Sequence, residues 1–210
     1  MPNMLRRTLL LSPLALALPR SARAAFQPTV QDRADLARIE TYLNGLTSLR
    51  AKFMQVAPDG SLSGGSAWLA RPGRMRFQYD PPAQFLLVAS HGQLVFQDNQ
   101  IKQTSHIPLS RTPLGMLLAD QVTLSGGVTV VGMNRLPGEI DVSLVRTETP
   151  GEGTLTLVFA DNPLTLRQWT VLDAQRKETR VTLFNAELGG RFDQKLFEPV
   201  EMPTNSGGGG

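Results

Sequence analysis

Apolar and polar side chains alternate along the middle of this chain with a period of two. In Arg74 to Asp80, the apolar Met75, Phe77 and Tyr79 interleave with Arg74, Arg76, Gln78 and Asp80, which places one greasy and one wet face on an extended strand. Arg71-Pro72-Gly73 breaks the chain before this strand, and Asp80-Pro81-Pro82 ends it. Ser90-His91-Gly92 turns the chain between apolar runs at Phe85 to Val88 and Leu94 to Phe96, so the centre reads as an antiparallel meander. The same signals predict strands near Leu49 to Val56 and Leu62 to Ala70 before it. Five more follow near Val128 to Met133, Ile140 to Arg146, Thr154 to Phe159, Thr165 to Leu172 and Thr179 to Asn185.

Two segments depart from the period of two. Thr29 with Asp32 forms a capping pair ahead of Leu36, Ile39, Leu43 and Leu46 at helical spacing, and Asn44-Gly45 loosens the end. Thr112-Pro113 offers an N-cap and first-turn proline to Leu114 to Ala119, a short helix with almost no polar face that must bury itself. About ten or eleven short strands with two or three helices predict a mainly β (α+β) fold, a curved antiparallel sheet or unclosed barrel whose concave face the helices cover.

The first two dozen residues add a destination. Arg6 and Arg7, the apolar run Leu9 to Leu18 and Ala22-Arg23-Ala24 read as an export signal over residues 1–24. The run is short for a membrane span and is broken by Pro13. Arg6-Arg7-Thr8-Leu9 suits general or twin-arginine export alike. Removing the signal's four arginines reduces 21 Lys+Arg to 17 against 18 Asp+Glu, so the net charge moves from +3 to about −1. A mature chain without a basic surplus is no partner for nucleic acid. With no cysteine there is neither a disulfide nor a lipid-attachment site. Residues 25–203 suffice for one domain with its own core, and the Gly-rich tail 204–210 has nothing to bury and is expected to be disordered.

Candidate chemistry is sparse. His91 falls in a turn and His106 in a connection, without ligand spacing between them. Glu139 and Asp141 share a strand face, which reads more economically as the solvated side of Ile140, Val142 and Leu144 than as an acid/base pair. Gly60-Ser61-Leu62-Ser63-Gly64 has leucine where a nucleophile elbow needs serine. Gly64-Gly65 and Gly126-Gly127 lack a phosphate-loop lysine and read as bends or turns. No enzymatic centre, metal or cofactor is implied. Arg71 stands out because it continues the face of Leu69, Met75, Phe77 and Tyr79. It either lies at the edge of an apolar cavity or snorkels to water, and the alternation is consistent with both.

A distributed set of fragments carries a resemblance. Phe53-Met54-Gln55, Trp68-Leu69-Ala70-Arg71-Pro72, Asp80-Pro81-Pro82 and His91-Gly92-Gln93-Leu94 are followed by Thr112-Pro113-Leu114, Leu166-Arg167-Gln168-Trp169 and Leu196-Phe197. In this order and spacing, from about Leu36 to Pro199, the chain resembles the periplasmic outer-membrane lipoprotein carrier (LolA) family. The resemblance implies a non-enzymatic monomeric carrier that is soluble in the periplasm. Its partners would be acylated lipoproteins, an inner-membrane ABC-type exporter and an outer-membrane receptor. It further implies a cavity lined by Phe53, Leu69, Met75, Phe77, Leu87 and Leu117, with Arg71 tying the lid to the barrel. Met75 stands where the family often has an aromatic residue, which makes that wall more adaptable. The chain stops soon after Phe197-Glu198-Pro199, so no contact made by a longer C-terminal extension carries over. The alternative on this scaffold is a periplasmic lipid- or glycolipid-binding or sensor module. A secreted hydrolase is a weaker one, lacking a nucleophile with its base.

The leader makes a direct prediction. Intact-mass analysis of protein recovered from the periplasm is expected to place the mature N-terminus at Ala25, and a retained, membrane-embedded N-terminus would overturn the soluble reading.

Overall fold

Alternating side chains give each strand one inward face, and the computed structural model, which describes residues 26–200, assembles eleven such strands into one antiparallel sheet. The expected leader over 1–24 and the tail over 204–210 lie outside the described residues. The strands are β1 Ser48–Val56, β2 Leu62–Ala70, β3 Arg74–Tyr79, β4 Phe85–Ser90, β5 Gln93–Asp98, β6 Gln103–Pro108, β7 Val128–Leu136, β8 Glu139–Arg146, β9 Gly153–Ala160, β10 Thr165–Asp173 and β11 Glu178–Leu188. Their order is β6-β5-β4-β3-β2-β1-β11-β10-β9-β8-β7. Two meanders are therefore joined by the long-range pair β1–β11, and the edges β6 and β7 do not pair. The result is an unclosed barrel.

Register sets the inward face. Phe77 lies opposite Ala67 and Leu87, and Met75 opposite Leu69 and Ala89, so these side chains share one side. That side carries the main core, with Met75 fully buried and Leu69, Phe77 and Phe53 nearly so. On β4 the alternate residues Leu86 and Val88 are buried too, on the opposite face. The outer face is covered here by the C-terminal segment. A 3-10 turn, Gln194–Phe197, packs on β3 and β4. Arg76 Nη1 donates to the Leu196 carbonyl at 3.2 Å, and the Gln97 amide exchanges two hydrogen bonds with the Val200 backbone.

Helix α1, Val30–Gly45, has the expected capping box at Thr29 and Asp32 and buries Ile39 and Leu43 completely. Its inward face also carries two carboxylates, Asp32 and Asp35, that the apolar pattern does not reveal. Arg135 of β7 bridges them, with Nη1 at 2.6 Å from Asp32 and Nη2 at 2.7 Å from Asp35. Arg38 reaches Asp161 at 2.9 Å, and the Tyr42 hydroxyl accepts from the Leu166 amide at 3.0 Å. These contacts bolt α1 onto the β7–β10 side of the barrel.

Four local expectations are corrected. Gly64 and Gly65 lie inside β2 rather than at a bend. A Cβ on Gly65 would stand 2.0 Å from the Gln78 carbonyl oxygen and 2.9 Å from the Phe53 ring, so its lack of a side chain lets β3 and Phe53 approach. His106 lies in β6, paired with Val95, not in a connection. This edge strand is exposed almost throughout, and its polar first four residues escape an apolar template. Helix α2 is only Leu114–Leu117, and Thr112 does not cap it; its hydroxyl donates instead to the Leu109 carbonyl at 2.9 Å.

The α1 anchor predicts a pH dependence. The Thr29 backbone amide and hydroxyl, with Arg135, hold the Asp32 carboxyl down from its ordinary 3.8 to about 2. A depressed folded-state pKa adds stability that is complete above the ordinary value and is lost as pH falls through the folded one. The Tm advantage of the wild type over Asp32→Asn is therefore expected to be constant above about pH 5, to narrow below about pH 4 and to close towards pH 2. Thermal melts across this range check it, and a gap unchanged in acid would refute it.

Candidate functional site

Aromatic rings run in edge-on contact across the inner face of the sheet. Trp169 meets Phe77 at 5.8 Å between centroids, Phe77 meets Phe53 at 4.7 Å, and Phe53 meets Tyr79 at 5.0 Å. Phe85 extends the row from Tyr79 at 5.7 Å. Such contacts favour tilted rings and fix the wall's shape. The Tyr79 hydroxyl donates to Gln55 Oε1 at 2.7 Å, and burial pushes its pKa up to about 12, so it stays a neutral donor.

Beside this row lies a cavity of about 160 Å³, walled by Met75, Phe77, Leu87, Trp169 and Val181 and covered by Leu114 of α2. A second, of about 170 Å³, lies under the segment that follows α2 and is walled by Leu117, Leu144, Leu155 and Leu157, with Arg146 as its charged member. Met116, Leu117 and Leu118 are almost completely buried. The lid thus fills most of the hollow with its own side chains and leaves a small apolar void on either side.

Of the residues singled out from the sequence, Met75, Phe77 and Leu87 wall the first cavity and Leu117 the second. Phe53 and Leu69 are buried and border neither. Phe53 meets Phe77 and Tyr79 edge-on, and Leu69 pairs across the ladder with Met75. Trp169, Val171 and Val181 were missed as wall residues. The alternation that places Trp169 and Val171 on one face of β10 was available in the sequence, but not the β10–β11 register that sets Trp169 opposite Val181.

Arg71 follows β2 and turns its guanidinium inwards over three main-chain carbonyls. Nη1 donates to Leu43 in the last turn of α1. Nε and Nη2 donate to Ala119 at 3.0 and 2.7 Å, and Nη2 also reaches Asp120 at 3.2 Å. Two residues on, the Gly73 amide donates to the Leu118 carbonyl at 2.9 Å. One arginine thus joins the β2–β3 turn, α1 and the end of the lid, and its planar fork suits divergent carbonyl acceptors. Burial pushes its pKa down, partly offset by Asp120. It stays charged at any ordinary pH because an arginine starts so high.

Neither histidine borders these two cavities. His91 is exposed in the β4–β5 turn with Nδ1 at 3.0 Å from Ser90 Oγ, and His106 is exposed on β6. Among the described residues no three His, Asp or Glu side chains gather as metal ligands. Asp141 accepts from Asn134 at 3.0 Å on the outer strand face.

The chain has relatives among known proteins. The chain is 28% identical over 171 residues to an outer-membrane lipoprotein carrier protein of Methylococcus capsulatus, covering 77% of this chain and 81% of that one. It is 25% identical over 204 residues to the protein of the same description from Azotobacter vinelandii, covering 91% and 92%. The crystal structure of a LolA superfamily protein from Nitrosomonas europaea superposes with a TM-score of 0.44 at 8% identity, covering 78% of this chain and 97% of that one. The family model for outer membrane lipoprotein carrier protein LolA matches residues 44–200. That span contains every strand, the lid and Arg71, and the chain belongs to this family of periplasmic, non-enzymatic carriers.

Proposed function

We propose that this protein takes the acyl chains of lipoproteins between its sheet and its lid, and carries them from an inner-membrane ABC-type exporter to an outer-membrane receptor. The observation that carries this reading is the pairing of an apolar inner wall with a lid held at its end by one charged side chain. Each methylene hidden from water is worth roughly 0.8 kcal/mol, so a chain of a dozen is worth on the order of 10 kcal/mol and does not cross water unescorted. Voids of about 160 and 170 Å³ suit a benzene-sized group, not a long acyl chain. Loading therefore requires Leu114, Met116, Leu117 and Leu118 to leave the hollow.

The lid's own burial then competes with cargo for the same wall. This weakens net binding and allows release. Arg71 acts on that balance: its bonds to Leu43, Ala119 and Asp120 belong to the closed, empty state. A charge-assisted hydrogen bond of this kind contributes about 1.5 to 3 kcal/mol. A ligand shifts an equilibrium only through its different affinities for the two states, so removing a contact unique to the empty state strengthens apparent cargo binding.

Two outcomes are expected. An environment-sensitive apolar dye binds the wild type and is displaced by acylated peptide; Phe77→Glu abolishes this, and so does Leu87→Glu, at a less buried wall position that spares the aromatic row. Unchanged dye binding in both folded variants would place the cargo elsewhere. Arg71→Leu is expected to load normally but release poorly, accumulating as loaded carrier in the periplasm, with Arg71→Lys intermediate. Loading lost in a folded Arg71→Leu protein would make Arg71 a cargo or exporter contact and exclude the latch.

A further inference from the structure

The lid has a second arginine at its other end, and its hydrogen bonding is incomplete. Arg146, the last residue of β8, donates from Nη2 to the Thr112 carbonyl at 3.1 Å, just before α2 begins. Its Nε is buried and has no hydrogen-bond partner. The nearby carboxylate is Glu152 Oε2, at 3.9 Å from that Nε, beyond hydrogen-bond range. Glu152 sits in the 3-10 turn Pro150–Glu152 and is held by the Thr149 hydroxyl at 2.8 Å. Gly115 leaves the room Arg146 needs, since a Cβ there would stand 2.7 Å from Nη2.

We propose that Arg146 is a second lid-positioning residue, shared between the Thr112 carbonyl when the lid is closed and Glu152 when it is open. In the closed state the guanidinium is drawn to the lid and stops short of the carboxylate, at the cost of an unsatisfied Nε. When Thr112 withdraws, Arg146 can close the remaining distance and form a hydrogen-bonded ion pair with Glu152, which replaces the lost carbonyl bond. Arg71 has no such substitute outside the lid segment, because its hydrogen-bond acceptors are main-chain carbonyls and the carboxylate whose charge acts on it, Asp120, belongs to that segment. The two ends of the lid therefore work in opposite senses: Arg71 favours closure, and the Arg146–Glu152 pair lowers the cost of opening. This rests on the carrier reading, and names residues that set how readily the carrier opens.

The test needs no cargo. The Gly73 amide donates to the Leu118 carbonyl of the lid, so its hydrogen exchange in the empty protein reports lid opening. Both Arg146 and Glu152 are partly exposed, and a pair of that kind shifts an equilibrium by about two- to five-fold. Glu152→Gln is expected to slow Gly73 exchange by that factor and to weaken acylated-peptide binding equally, whereas Arg71→Leu speeds exchange. In an Arg146→Leu background, Glu152→Gln is expected to change nothing. Unchanged or faster exchange in Glu152→Gln, or the same slowing without Arg146, would overturn the proposal. Failure of acylated peptide to bind the wild type would instead count against the carrier reading, leaving the exchange result to judge the lid.

Discussion

A concave apolar wall cannot stand open to water, and in this protein the cover comes from the chain itself. Met116, Leu117 and Leu118 are as deeply buried as the strand residues they lie against, so the empty state is satisfied by the lid. Burial of this kind is non-directional, and any apolar surface of suitable shape can take the lid's place. The specificity of closure therefore falls to polar contacts at the lid's margins, chiefly the Arg71 guanidinium on the carbonyls of Leu43, Ala119 and Asp120. Packing accounts for the depth of the lid's burial, and hydrogen bonds fix where its end sits.

This division of labour depends on a frame that does not follow the lid. The β1–β11 pair joins the halves of the sheet, and the edge-on row from Trp169 to Phe85 spans four strands of its inner face. Outside, the C-terminal segment covers Arg76 and Gln97 and accounts for apolar residues on both faces of β4. Helix α1 is fixed to the far strands through Asp32, Asp35 and Arg135. Asn44, near its end, pairs in both directions with the Val122 backbone at 2.9 Å. The short α2 thus hangs between an anchored segment on one side and Arg146 on the other.

The edges β6 and β7 do not pair with each other, so the barrel stays unclosed. The voids beside α2 are small, and a closed interior of normal density resists gradual widening. Displacement of the lid as a unit makes room more economically than gradual widening does, which is the step the proposed carrier cycle needs.

Sequence alone determined the strand alternation at Met75, Phe77 and Tyr79, the capped helix after Thr29, and the apolar, self-burying character of Leu114 to Ala119, because each is a local periodicity or a local cap. It also isolated Arg71 as a charge on an apolar face. Tertiary structure decided the rest: that the guanidinium turns inward to carbonyls distant in the chain, that Gly65 is a point of strand contact instead of a bend, and that Trp169 and Val181 wall the same cavity as Phe77. Polar β6 carried no apolar signal, and Asp32 and Asp35 became an anchor only when β7 brought Arg135 to them. Periodicity names the face of a strand, but long-range register decides which faces meet, and a carbonyl gains an arginine partner only once folding sets the two side by side.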